Sequence, residues 1–198
     1  MESIPINKAA SPRLVEISAG DRHYPSRLLE SRRLRAKRDR PVRLYTWEGT
    51  NLELLNAEAT IAIVGSRSAP PEFLAYARQA GTYFARRGRV VVTGGARGVD
   101  LEAINGALGA GGRAIVVFPM GLESAEANRF RERFESSLEA GKLLVLSQQP
   151  PDERWRARAA MARNQLVVGL ADAVLVIHTG LKYVPRETNN RQASRVAR

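Results

Sequence analysis

The sequence predicts a doubly wound α/β fold, a mostly parallel sheet flanked by helices on both faces. Two observations carry this expectation. Between residues 61 and 180 five short apolar runs recur, IAIV (61–64), VVV (90–92), AIVVF (114–118), LLVL (143–146) and AVLVI (173–177), and none of them alternates with polar residues. Unbroken apolarity over so few residues suits a strand buried on both faces, as in a parallel sheet covered by helices. Between the runs lie turn residues and then stretches with helical periodicity.

Taken in order, residues 1–60 read as an extension packing on the core, because Pro5, Pro12, Pro25 and Pro41 interrupt any long element and no strong periodicity appears. Between Arg27 and Arg43 eight basic residues stand against Glu30 and Asp39, in a stretch short enough for one solvated surface helix. The core spans 61–180. After IAIV comes the turn GSRS (65–68), and then EFLAYARQAGTYFARRG (72–88) places Phe73, Ala77, Ala80 and Phe84 on one helical face, with Arg78, Arg86 and Arg87 elsewhere and Gly88 as a stop. VVV leads into TGGARGVD (93–100) and a helix opening near Asp100. Following AIVVF, ANRFRERFESSLEAG (127–141) predicts one helix with Phe130, Phe134 and Leu138 inward, closing at Gly141. The last residues, LKYVPRETNNRQASRVAR (181–198), carry five basic residues against one Glu and little apolar pattern; a mobile basic tail that adds no strand is expected.

Composition narrows the function. At 198 residues and 44% hydrophobic the chain can bury one full-sized core. Its formal charge of +11 favours polyanionic partners, above all nucleic acid. The absence of cysteine excludes disulfides, thiolate catalysis and Cys-based zinc sites, and the two distant histidines, His23 and His178, make no metal cluster; neither metal nor cofactor is expected. No apolar window has the length of a membrane span and MESIPINKAASPRLVEIS lacks an apolar signal core, so a cytoplasmic protein without a membrane partner is expected.

In open α/β sheets ligands bind at the carboxyl ends of the strands, so the loops after the apolar runs are the places to look. One offers Gly65, Ser66 and Arg67; the next offers Gly94, Gly95, Arg97 and Gly98. Glycines there allow close backbone approach, free N–H groups at a helix N-terminus attract an anion, and arginine adds charge. Either loop alone is equally well explained as a tight turn, but two strands both ending in Gly plus Arg describe a phosphate cradle. Asp100 would repel a phosphate, so capping the next helix or bonding the turn suits it better than catalysis. No G-x-G-x-x-G, G-x-x-x-x-G-K-[ST] or G-x-S-x-G occurs, and His178 reads as a packed or rim residue; no catalytic residue is assigned.

Read together, these segments resemble the DprA/Smf family of DNA-processing proteins, in order over roughly residues 21–180. DRHYPSRL (21–28) and PVRLYTWEGTNLELL (41–55) are similar to its entry segment, AIVGSR (62–67) and VVTGGARGVDLEAINGAL (91–108) to its two loops, and QPPDERWRARAAMARNQLVVGLADAVLVI (149–177) to its closing stretch. Departures include Ile104 where the family commonly has His, and Met161 and Ala162 where Phe and Pro usually stand. The resemblance implies a Rossmann-like core that is not an enzyme, binds single-stranded DNA, forms a homodimer and delivers incoming DNA to a RecA-type recombinase during natural transformation. It adds Arg163 and Asn164 to the DNA- or phosphate-binding set, and Trp155, Tyr76 or Phe73 are candidates for stacking on bases, Phe73 being better suited to the core. The competing expectation is a Rossmann-like module that binds or senses a nucleotide derivative without catalysis.

Overall fold

The computed structural model describes residues 12–30 and 41–179. The expected surface helix therefore lies largely, and the expected tail at 181–198 wholly, outside the described residues. Among these residues seven strands form one sheet, in the order β1-β2-β6-β5-β4-β3-β7. They are β1 (Leu14–Ser18), β2 (Arg43–Trp47), β3 (Thr60–Gly65), β4 (Val90–Thr93), β5 (Ala114–Phe118), β6 (Leu143–Ser147) and β7 (Ala173–Ile177). The five predicted runs are β3 to β7, and they pair with one another in parallel. Residues before 60 supply two strands that were not expected: β1 pairs antiparallel with β2, which joins β6 antiparallel through Tyr45 and Ser147.

The sheet is covered on both sides. Ile61, Ile63, Val91, Val116 and Val145 pack into one core with helices α2 (Pro71–Ala85), α3 (Val99–Gly109), α4 (Ala125–Arg133) and α5 (Glu135–Glu139). Their neighbours Ala62, Val92, Ile115 and Leu144 point the other way, into a second core with α1 (Ser26–Glu30), the 3-10 turn Leu52–Asn56 and α6 (Ala157–Gly169). Successive residues of one strand thus serve opposite cores, which is why the runs show no polar alternation.

Two expectations need correction. AVLVI was expected to be buried on both faces, yet Val174 is 37% and Val176 54% exposed. Among the described residues the strand sits at the end of the sheet beside β3, where an apolar run loses its cover on one face. Residues 127–141 do not form a single helix: Phe134, at φ −116 and ψ 19, separates α4 from α5. Apolar residues spaced by four drift around a helix of 3.6 residues per turn, and the break returns Leu138 to the core while Phe130 and Phe134 keep their rings 4.6 Å apart.

Helices α2 and α3 meet at backbone distance. A methyl group on Gly81 would overlap the Ala103 carbonyl, one on Gly106 would overlap the Arg78 carbonyl, and Thr82 donates its hydroxyl to the Gly106 carbonyl at 3.0 Å. At the amino end of the sheet Asp172 accepts from the Thr60 amide at 2.7 Å and pairs with Arg27 at 3.1 Å, while the same guanidinium donates to the carbonyls of Ala57 and Glu58. Partial burial pushes the Asp172 carboxyl up, but these Thr60 and Arg27 bonds outweigh it and hold the group below its ordinary value of 3.8. Its stabilisation is therefore complete above that value and is lost as pH falls through the lower native one. Asp172→Asn is expected to cost about 1 kcal/mol at neutral pH, the pair being partly screened by solvent. Urea titrations should show this difference shrinking in strong acid.

Candidate nucleic-acid interface

The carboxyl ends of β3, β4, β5 and β6 open on the same edge of the sheet, and their loops build a cleft of about 230 Å³. Arg67, Gly94, Gly95, Arg97 and Arg163 line it, with Phe118, Met120 and Trp155 as an apolar wall. Arg67 and Arg97 are exposed. The Arg67 guanidinium lies 5.5 Å from the centre of the Trp155 ring, which is itself 46% exposed. This places a cation and an aromatic face side by side at the mouth.

The two glycine loops lock together through their backbones. Val99 donates its amide to the Ser66 carbonyl at 3.2 Å, and Gly98, at φ +89, lies so close to Ser66 and Arg67 that a side chain there would overlap both. Gly65 is pressed against Val99 and the Ile177 carbonyl in the same way, and the Ser66 amide donates to His178 at 2.8 Å. His178 packs its ring 4.9 Å from Phe73. The Ser66 hydroxyl accepts from the Ser68 amide at 3.2 Å, so it is engaged in its own turn. Gly65, Ser66 and Gly98 thus shape the site from behind.

Arg163, which the resemblance adds to the binding set, is neither exposed nor on a loop. It lies on α6 and is buried, with its guanidinium resting where a Gly94 side chain would be and 3.8 Å from the Asp100 carboxylate. Asp100 follows the first residue of α3 and bonds the turn instead of capping the helix: the amides of Gly65, Ala96 and Gly94 face its carboxylate, Gly65 at 3.3 Å. Burial pushes the Asp100 carboxyl up, opposed by Arg163 and these amides. The N–H groups of Gly94 and Ala96 are thereby turned inward to Asp100, while those of Arg97 and Gly98 have no backbone partner among the described residues.

Asn164 is separated from Arg97. It lines an adjoining cleft of about 400 Å³ with Gly65, Asp100, Met161 and Thr179, divided from the first by the shared Arg67, Ala96 and Arg163. The residues that sequence reading did not assign to the site are Phe118 and Met120 in the wall and Asp100 as the partner of Arg163. Phe118 carries a position signal, closing the AIVVF run at the carboxyl end of β5. Among the described residues no group of three or more His, Cys, Asp or Glu is placed to hold a metal ion, and no helix is long and apolar enough to cross a membrane.

Residues 16–183 match the family model described as DNA recombination-mediator protein A. The chain belongs to this family. It is 33% identical to protein Smf of Escherichia coli over 166 residues, covering 84% of this chain and 42% of that protein. With protein Smf of Synechocystis it shares 31% identity over 137 residues, 69% of this chain and 34% of the relative. The chain therefore spans less than half the length of these relatives. In three dimensions it is similar to DNA processing protein A of Streptococcus pneumoniae, with a TM-score of 0.70 and 28% identity, over 84% of this chain and 55% of that one. The corresponding Helicobacter pylori protein, which has a single-stranded DNA binding mode, shares the fold at a TM-score of 0.64 and 24% identity, over 83% of this chain and 68% of its own.

Proposed function

We propose that the cleft binds the phosphate backbone of single-stranded DNA and that the chain is a DNA-processing protein without catalytic activity. The observation that carries this reading is the convergence of Arg67, Arg97 and Arg163 on one cleft beside the exposed ring of Trp155. Arginines with an adjacent aromatic face supply the two contacts that sequence-tolerant single-strand binding uses, phosphate neutralisation and base stacking. Arg67 and Arg97 reach phosphates directly, and the free amides of Arg97 and Gly98 add donors at the start of α3. Arg163 contributes positive potential from behind Gly94, and Gly65, Ser66, Gly95 and Gly98 fix the loops. Residues 61–180 are the binding unit of this reading, and β1 and β2 of the extension before it join the same sheet. Family membership and the single-stranded DNA binding of the Helicobacter pylori neighbour support the reading. Its full form is a cytoplasmic homodimer that protects incoming strands and passes them to a RecA-type recombinase during transformation.

The apolar wall of Phe118, Met120 and Trp155 around so small a cleft also suits one nucleobase, which favours a nucleotide-binding module as the second reading. Arg97→Ala separates the two. Under the proposal, affinity for single strands of every sequence falls about equally, and the salt dependence of log K loses about 0.7 of slope. The melting temperature stays unchanged, because the side chain is exposed. Unchanged affinity and slope with the fold intact would move the strand away from this loop. Retention of a mononucleotide on the purified protein, with no strand binding, would select the second reading.

A further inference from the structure

The opposite end of the sheet carries a second ordered array of charge. Three times in succession a helix ends in a glycine with positive φ, a cation follows, and a strand begins: Gly88, Arg89 and β4; Gly111, Gly112, Arg113 and β5; Gly141, Lys142 and β6. These strands are neighbours in the sheet. Val91 donates its amide to the Arg113 carbonyl at 3.0 Å and Ala114 to the Lys142 carbonyl at 2.9 Å, so Arg113 and Lys142 stand level on neighbouring strands and Arg89 lies one residue earlier on the next. With strands about 4.8 Å apart, the row spans roughly 10 Å on rigid backbone. Arg86 and Arg87 extend it from the end of α2, and the Arg87 guanidinium lies 3.5 Å over the half-exposed ring of Tyr83.

All five cations are exposed, and none has an ion-pair partner among the described residues. The nearby carboxylates along the chain are Glu58, ahead of β3, and Glu139, in the last turn of α5; Asp172, at the same end of the sheet, is engaged by Thr60 and Arg27. A helix C-terminus favours a cation by its dipole, but that effect fades within a turn and does not require a cation at the start of each of three adjacent strands. We propose that Arg89, Arg113 and Lys142, with Arg86 and Arg87, form a second phosphate-binding surface for nucleic acid, at the end of the sheet remote from the glycine loops. A protein partner would need an apolar centre to its interface, and of the large exposed apolar side chains Tyr83 is the one that stands beside this row. A row of fixed charges beside an aromatic face matches a repeating polyanion instead. With strands about 17 Å long between the two ends, one chain then holds nucleic acid on both rims of its sheet.

The test compares the whole chain with the triple variant Arg89→Ala, Arg113→Ala, Lys142→Ala and with a charge-matched triple, Arg13→Ala, Arg22→Ala, Arg133→Ala, titrating a long oligothymidine strand across salt concentrations. The row variant is expected to lose about 2 from the salt slope, from three phosphates at roughly 0.7 each, and the matched variant none. The loss should recur in an Arg67→Ala, Arg97→Ala background, which keeps the row separate from the cleft. Equal slopes for the two triples would overturn the proposal. If only the cleft substitutions change the slope, the cleft reading stands and this one falls; if only the row does, the reverse holds. Row substitutions that abolish binding to polyglutamate while sparing the DNA slope would overturn it in favour of an acidic protein.

Discussion

Arg163→Met lowers the unfolding free energy by about 3 kcal/mol at neutral pH, because removing one member of a buried pair leaves the other charge uncompensated. Both side chains are almost fully buried, and Asp100 would keep its inward-facing amides but lose the cation beside it. Its carboxyl, already raised by burial, then rises further. A group raised in the native state gives its full stabilisation below its unfolded value and loses it as pH climbs through the native one, so the deficit is small in acid and grows toward neutrality. Asp100→Asn also leaves a buried charge uncompensated, the Arg163 guanidinium, but has no carboxyl to titrate, so its stability does not fall as pH rises through that group. Urea unfolding of both variants at mildly acidic and neutral pH checks the asymmetry. A pH-independent loss below about 1 kcal/mol for Arg163→Met would show that the pair is solvated.

The second large effect is at the seam of α2 and α3. Gly106→Ala is expected to cost about 3 kcal/mol, because the new methyl group meets the Arg78 backbone, which belongs to a helix and cannot yield locally. The same substitution three residues on has the opposite sign. Gly109 faces open space, so Gly109→Ala gains about 0.5 kcal/mol from reduced backbone entropy of the unfolded chain. Thermal unfolding of the pair decides it; equal melting temperatures would mean the helices slide apart without penalty.

Much of the fold was legible, and the reasons for the gaps are physical. β3 to β7 were read from unbroken apolarity because each strand pairs in parallel and most are covered on both faces. The same signal does not report position in the sheet, so the exposure of Val174 and Val176 was invisible to it. β1 and β2 are five-residue pieces amid prolines, too short for their pattern to stand out; their place depends on partners far along the chain. The break at Phe134 arises from the drift of a four-residue repeat against the core, which a pattern of apolar letters hides. At the site, the glycine loops were placed correctly at strand ends, but a charged letter reads as exposed, and nothing in the neighbourhood of Arg163 in the sequence announces Asp100. Trp155 was legible only as an aromatic between two arginines; its place beside Arg67 comes from the fold.

The seat of Arg163 also constrains how this sequence can change over generations. The guanidinium occupies the volume that a side chain at Gly94 would claim, so the smallest enlargement of that glycine evicts the arginine, whereas a chain that had already lost the arginine would tolerate it. The two positions, distant in sequence, are therefore epistatic, and the order of substitutions matters. Drift at this edge of the sheet is open in one direction and closed in the other: the arginine can be lost first and the glycine second, but the arginine cannot return while the enlarged residue remains.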